Sequence, residues 1–193
     1  GRFVGMRIVF ASAEVSPFAK TGGLGDVCGA LPKALARLGQ DVVVFMPYYR
    51  AAKRYFERNG GAHPELLFER QITWGNWSAH AAFHRGTIPG SSVPVIFVEN
   101  FGFFDRDGIY EGRDGTDDGL ERYAFFCRAV IAGCEALGER VDILHAHDWH
   151  TALLPVYLES GLRVVPIFRD TASVFTIHNL NYVGSFSADH FAA

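Results

Sequence analysis

Three short stretches of this 193-residue sequence hold residue types whose spacing could do chemistry together. The first is Lys20-Thr21-Gly22-Gly23-Leu24-Gly25-Asp26, lying between an apolar run, Met6 to Ala11, and a helical pattern that ends near Leu38. Glycines let a backbone come close to a ligand, and a helix N-terminus presents unpaired N–H groups with partial positive charge. Lys20, just ahead of the glycines, adds a full positive charge. These residues suit an anion such as a phosphate, contacted by the loop at the edge of a sugar-transfer site. The plainer alternative is a tight strand-to-helix turn carrying an exposed lysine.

The second stretch is His145-Ala146-His147-Asp148-Trp149-His150. On a strand, His145 and His147 share a face and His150 can swing in from the loop that follows, which invites a metal. The run resembles the His-x-His-x-Asp-His pattern of the metallo-β-lactamases, except that Trp149 separates Asp148 from the last histidine and re-aims the carboxylate. A metal-dependent hydrolase using His145, His147 and His150 is therefore one reading. The other makes His145 and His147 hydrogen-bonded groups at a strand end and Trp149 a core residue. In that reading His150 opens a helix over the sheet's edge, and its neutral imidazole donates to and accepts from sugar hydroxyls. The third stretch is Thr176-Ile177-His178-Asn179-Leu180, just past an apolar run.

The elements that must position these groups follow from the apolar patterning. Continuous apolar runs at Arg7–Ala11, Asp41–Met46, Val93–Glu99, Val141–His147 and Ser173–Ile177 predict strands covered on both faces. A helix after the glycines places Leu24, Val27, Cys28, Leu31, Leu35 and Leu38 on one stripe, with a kink at Pro32 and a stop at Gly39. Helices are also expected at Ala51–Arg58, from Asp117 or Asp118 to Gly138, and over His150–Ser160. Leu66–Trp74 and Ser78–Ile88, joined by Gly75-Asn76, read as a hairpin. Asn100 to Gly119, rich in Gly, Asp and aromatics, reads as a long functional loop. The alternation predicts an α/β fold, a doubly wound and mainly parallel sheet with a hairpin insertion. Ligands of such sheets bind outside the carboxyl ends of strands. Lys20, Phe104, Asp148, His150, His178 and Asn179 all fall at or just beyond such ends.

Composition narrows the partners. The sequence is 49% hydrophobic and 20% charged, and its net charge of −3 gives no electrostatic case for nucleic acid or an anionic membrane surface. No apolar run nears the roughly 20 residues that cross a bilayer, and there is no signal-peptide pattern. Cys28, Cys127 and Cys134 all sit in helical patterns, an odd count that fits reduced, buried thiols. Gly1 to Gly5 read as an extension, native or added, and the domain as residues 6–193. The sequence stops at Phe191-Ala192-Ala193 with no closing element, which reads as a cut inside a larger protein.

Lys20-Thr-Gly-Gly-Leu-Gly-Asp26, His145-Ala-His-Asp-Trp-His-Thr151 and Thr176-Ile-His-Asn-Leu180 together resemble the bacterial glycogen synthases and plant starch synthases, in order and in approximate spacing. Phe103-Phe-Asp-Arg-Asp-Gly-Ile-Tyr110 is similar to that family's aromatic loop. The resemblance runs from Met6 over nearly the whole chain. It implies a retaining glucosyltransferase that moves glucose from ADP-glucose to the non-reducing end of an α-1,4-glucan. It also implies two Rossmann-like domains facing across a cleft, the GT-B arrangement, with no metal cofactor. This chain would be the N-terminal domain, the C-terminal nucleotide-binding domain being absent, in a bacterial cytoplasm or a plastid stroma. Lys20, Gly22 and Gly23 would contact the donor phosphate, and Asp26 and His150 would hold the transferred glucose. Asn179 would lie near the same cleft, with Phe104, Asp148 and His178 as further substrate contacts. Phe104 and Val183 depart from the tyrosine and glutamine expected there. A non-catalytic glucan- or nucleotide-binding module is the remaining alternative.

Overall fold

The computed structural model describes residues 5–112 and 115–187. The expectation about the Phe191–Ala193 end therefore lies outside the described residues. Seven strands form one sheet in the order β3-β4-β5-β2-β1-β6-β7. They are β1 (Arg7–Ala11), β2 (Asp41–Pro47), β3 (Glu65–Trp74), β4 (Trp77–Thr87), β5 (Pro94–Glu99), β6 (Ile143–His147) and β7 (Ala172–Thr176). From β5 through β2, β1 and β6 to β7 every pairing is parallel, while β4 runs antiparallel to β5 and β3. The expected hairpin is thus a two-strand extension of one edge, turned by Gly75 at a φ of 53° that favours glycine.

The central strands are sequestered because their runs have no polar face to offer water. Phe10, Phe45 and Phe97 are fully buried, each stabilising the fold by about 1.5–3 kcal/mol. Among the described residues five α-helices cover the sheet: α1 (Gly23–Arg37), α2 (Arg50–Arg58), α3 (Phe101–Phe104), α4 (Gly119–Leu137) and α5 (Leu153–Ser160). At Gly133 of α4 an added Cβ would stand 2.6 Å from the Phe45 ring, so that helix depends on glycine to reach the sheet. Gly138 ends it in the left-handed conformation.

Two details differ from the apolar pattern. The buried face of α1 is Leu24, Gly25, Cys28, Gly29 and Pro32, whereas Val27 is 38% and Leu38 73% exposed. Gly29 explains this: a Cβ there would meet the Ser16 carbonyl oxygen at 2.5 Å, so the helix packs along its small residues. Within the stretch read as a long loop, Phe101–Phe104 makes a short helix because the Asn100 side chain accepts the Phe103 N–H at 3.0 Å. No helix among the described residues is long and apolar enough to cross a membrane.

Candidate functional site

A cleft of about 880 Å³ opens where the carboxyl ends of β1, β6 and β7 meet the start of α1. One wall begins at Glu14, three residues beyond β1. Its carboxyl group is almost wholly buried and accepts the Thr21 N–H at 2.6 Å, the Thr21 hydroxyl at 2.8 Å and the Gly22 N–H at 3.2 Å. The Tyr110 hydroxyl donates to the same group from across the cleft. Glu14 therefore latches the glycine turn to the aromatic loop. That loop is braced in turn by the buried Arg122, whose guanidinium donates to the Ile109 carbonyl at 2.8 Å and the Glu111 carbonyl at 3.3 Å.

The opposite wall is the turn after β6. Asp148 is held at φ 56° and ψ −179°, the only described non-glycine residue with positive φ. Such a conformation costs about 1–3 kcal/mol, and here the surrounding bonds impose it. The Asp148 N–H donates to the Thr176 carbonyl at 2.9 Å, and its Oδ1 accepts the His178 N–H at 2.7 Å. Next to it His150 stacks on Tyr110 at 5.0 Å and lies edge-on to Tyr123 at 4.7 Å. Its Nδ1 is buried with no hydrogen-bond partner. Burial, helped by the positive charge of Arg122, pushes the imidazole down to about 3, so it is neutral at ordinary pH. Trp149 lines the cleft, clamped by Gly184: a Cβ there would come within 2.6 Å of the indole, and φ is 66°.

Of the residues singled out from sequence, Gly22, Gly23, Asp148, His150, His178 and Asn179 line this cleft. Three do not. Phe104 is fully buried against Tyr49, Phe125 and Phe126, because the turn of α3 rotates it into the core, and it is out of reach of any ligand. The aromatic loop presents Tyr110 to the cleft instead. Lys20 and Asp26 pair with each other at 2.7 Å beside the glycine turn, their side chains 45% and 57% exposed. Lys20 lines a neighbouring depression with Tyr55 and Ile109. The Gly22 N–H, expected to face a phosphate, is already used by Glu14.

His145, His147 and His150 do not converge as a ligand set. His145 bonds Thr176 at 2.7 Å and stacks on His147, while Nδ1 of His147 shares a hydrogen bond with His178 Nε2 at 2.9 Å. The ring of His150 lies among Tyr110, Tyr123 and Trp149. All three cysteines are free and buried, and burial raises each thiol to about 12, so none is an activated nucleophile. Sequence reasoning missed Glu14 and Arg122. A single acid or arginine has no motif spacing, and the only available signal was an acid close after a strand end.

A mostly parallel α/β sheet with a polar cleft at its carboxyl edge, one wall a glycine turn and the other a strained Asp-Trp-His turn, defines a small-ligand-binding α/β domain. Comparison narrows that class. The model of the starch synthase catalytic domain matches residues 7–193, and the chain belongs to that family. It is 41% identical over 184 residues to a glycogen synthase of Pseudothermotoga lettingae, covering 94% of this chain and 37% of that protein. To glycogen synthase 2 of Geobacter sulfurreducens it is 42% identical over 187 residues, 95% of this chain and 37% of that one. The fold matches the catalytic domain of starch synthase IV from Arabidopsis thaliana, a structure bound to ADP and acarbose. The TM-score is 0.77 and the identity 29%, over 98% of this chain and 37% of that one. The chain thus spans little more than a third of the length of these relatives.

Proposed function

We propose that this chain is the N-terminal half of a retaining glucosyltransferase that moves glucose from ADP-glucose to the non-reducing end of an α-1,4-glucan. The observation that carries this reading is the convergence of the glycine turn and the Asp148–His150 turn on one cleft, in a chain of the starch synthase catalytic family. The ADP and acarbose bound by the Arabidopsis relative supply the ligand classes. The partner half would be a second domain of the same protein, facing this cleft. Neither nucleic acid nor membrane enters the reading, and the place of action would be a bacterial cytoplasm or a plastid stroma.

The residues fit the chemistry when their observed partners are taken into account. Departure of ADP builds negative charge on a phosphate oxygen, and a positioned cation with helix-end amides stabilises it as it forms. Among the described residues Lys20 is held by one exposed ion pair, worth about 0–1 kcal/mol, so a phosphate can draw the ammonium from Asp26 at little cost. Gly23, at the first turn of α1, offers its N–H, while Glu14 keeps the turn in shape by occupying those of Thr21 and Gly22. Asp26, freed from Lys20, and the neutral His150 fix the hexose hydroxyls. Asp148, His178 and Asn179 complete that wall. Orientation of the cation-like anomeric centre needs no base from this half and no metal.

The test is glucan elongation from ADP-glucose. A protein of the relatives' full length carrying this chain elongates a glycogen primer, and the 193-residue chain alone does not. Elongation by the short chain would overturn the two-domain reading. Saturable glucan binding by the full-length protein without transfer would favour a non-catalytic binding module.

A further inference from the structure

We propose that Cys28, His147 and His178 form a zinc-binding site in the wall of the cleft. They come from three separate elements: Cys28 from the buried face of α1, His147 from the last position of β6, and His178 from the segment after β7. Their ligand atoms lie within 4.8 Å of one another. In a tetrahedral zinc site, bond lengths of about 2.0–2.3 Å put neighbouring ligand atoms roughly 3.5 Å apart, so closing this group takes a contraction of about 1 Å.

The donor set is the one zinc prefers, a thiolate with two imidazoles, and it lacks the hard oxygens that magnesium or calcium require. A second observation points the same way. His147 is fully buried, and its Nδ1 already lies 2.9 Å from His178 Nε2, close to the spacing of two ligand atoms on one ion, so this pair needs little movement to share a metal. Cys28 and His147 have no part in the transfer chemistry proposed above, and His178 joins the site to the cleft wall.

Binding balances simply. The S–H bond of Cys28 breaks and its proton leaves to solvent. The sulfur forms a bond to Zn²⁺, and two neutral imidazole nitrogens displace two of the ion's waters. The fourth position keeps a water. Zinc held there pins His178, and through it one wall of the cleft.

Titration of the 193-residue chain with zinc, and with cobalt(II) as a coloured probe, tests the site without reference to glucosyl transfer. One equivalent of cobalt gives the intense visible bands of tetrahedral coordination together with a thiolate charge-transfer band. Cys28→Ser removes the charge-transfer band, and Cys28→Ser and His147→Gln each weaken binding at least about tenfold. His150→Gln changes neither spectrum nor affinity. Far-UV circular dichroism checks that the variants are folded. Zinc-edge X-ray absorption of the unaltered chain shows one sulfur at about 2.3 Å, a readout that needs no variant. The weak spectrum of six-coordinate cobalt, binding unaffected by Cys28→Ser, or loss of metal on His150→Gln would each overturn the proposal.

Discussion

The two walls of the cleft are built on different physics. The glycine-turn wall is organised by charge: one buried carboxyl group gathers two backbone N–H groups, a threonine hydroxyl and a tyrosine hydroxyl. The Asp148–His150 wall is organised by packing and backbone strain, with three aromatic side chains around a neutral imidazole and a left-handed aspartate held by β7 and His178. The first wall is rigid at its base but carries a loose cation at its rim, the exposed Lys20–Asp26 pair. The second holds its polar group fixed and dry. On the proposed reading, a charge that must be met as it develops is suited by the exposed cation, and a hexose that must be oriented by the buried ring.

The largest effect is expected at the packed wall. In the full-length protein, His150→Ala lowers turnover by about 10²–10³, the usual cost of losing one preorganised polar contact to a reacting group. Turnover within a few-fold of the unaltered protein would make His150 a packing residue and remove the contrast between the walls. Lys20→Ala at the charged wall lowers turnover by at least about tenfold, less than His150→Ala because the Gly23 N–H remains. Steady-state kinetics with ADP-glucose read both. An unchanged rate returns Lys20 to an ordinary exposed turn.

Glu14 separates structure from chemistry on the first wall. Glu14→Gln puts an amide NH₂ where donors already point and destabilises the 193-residue chain by about 1–3 kcal/mol, measured by denaturant unfolding. A stability within about 0.5 kcal/mol of the original would mean that the latch does not hold the turn.

How much of this was legible in the sequence depends on whether a residue's role is written in a period. The buried strands were, because Val42 to Met46 or Val95 to Val98 have no polar alternation and can only lie inside a covered sheet. The glycine turn and the Asp-Trp-His turn were legible as neighbours because both sit just beyond strand ends, and they line one cleft. The aromatic loop was not: Phe104 and Tyr110 are six residues apart in a segment without period, and only the single turn of α3 decides which one faces the core. Hydrophobicity alone places Val27 and Leu38 on the buried stripe of α1, but close approach at Gly25 and Gly29 outranks it. The Lys20–Asp26 pair is invisible in the sequence because a six-residue spacing across a turn carries no pairing signal.

The finest test of the comparison is the response to acid. His150 is pushed down to about 3 by burial among Tyr110, Tyr123 and Trp149, with the Arg122 charge in the same direction. In the unfolded chain it titrates near its ordinary value of about 6.5. Between those two values the unfolded state holds the extra proton, so folding stability is full above about pH 6.5 and falls as the pH drops toward 3. One such group contributes a slope of at most about 1.4 kcal/mol per pH unit. His147, lowered to about 3 by burial and by His145 and His178, adds a term of the same sign. His150→Gln should therefore leave an acid-sensitive chain whose stability falls less steeply, by close to one proton, between pH 6 and 4. Denaturant unfolding at stepped pH measures that slope. Parallel curves for the two chains would mean that His150 is solvated and charged in the acid-exposed fold, and the dry wall would have to be redrawn as a wet one.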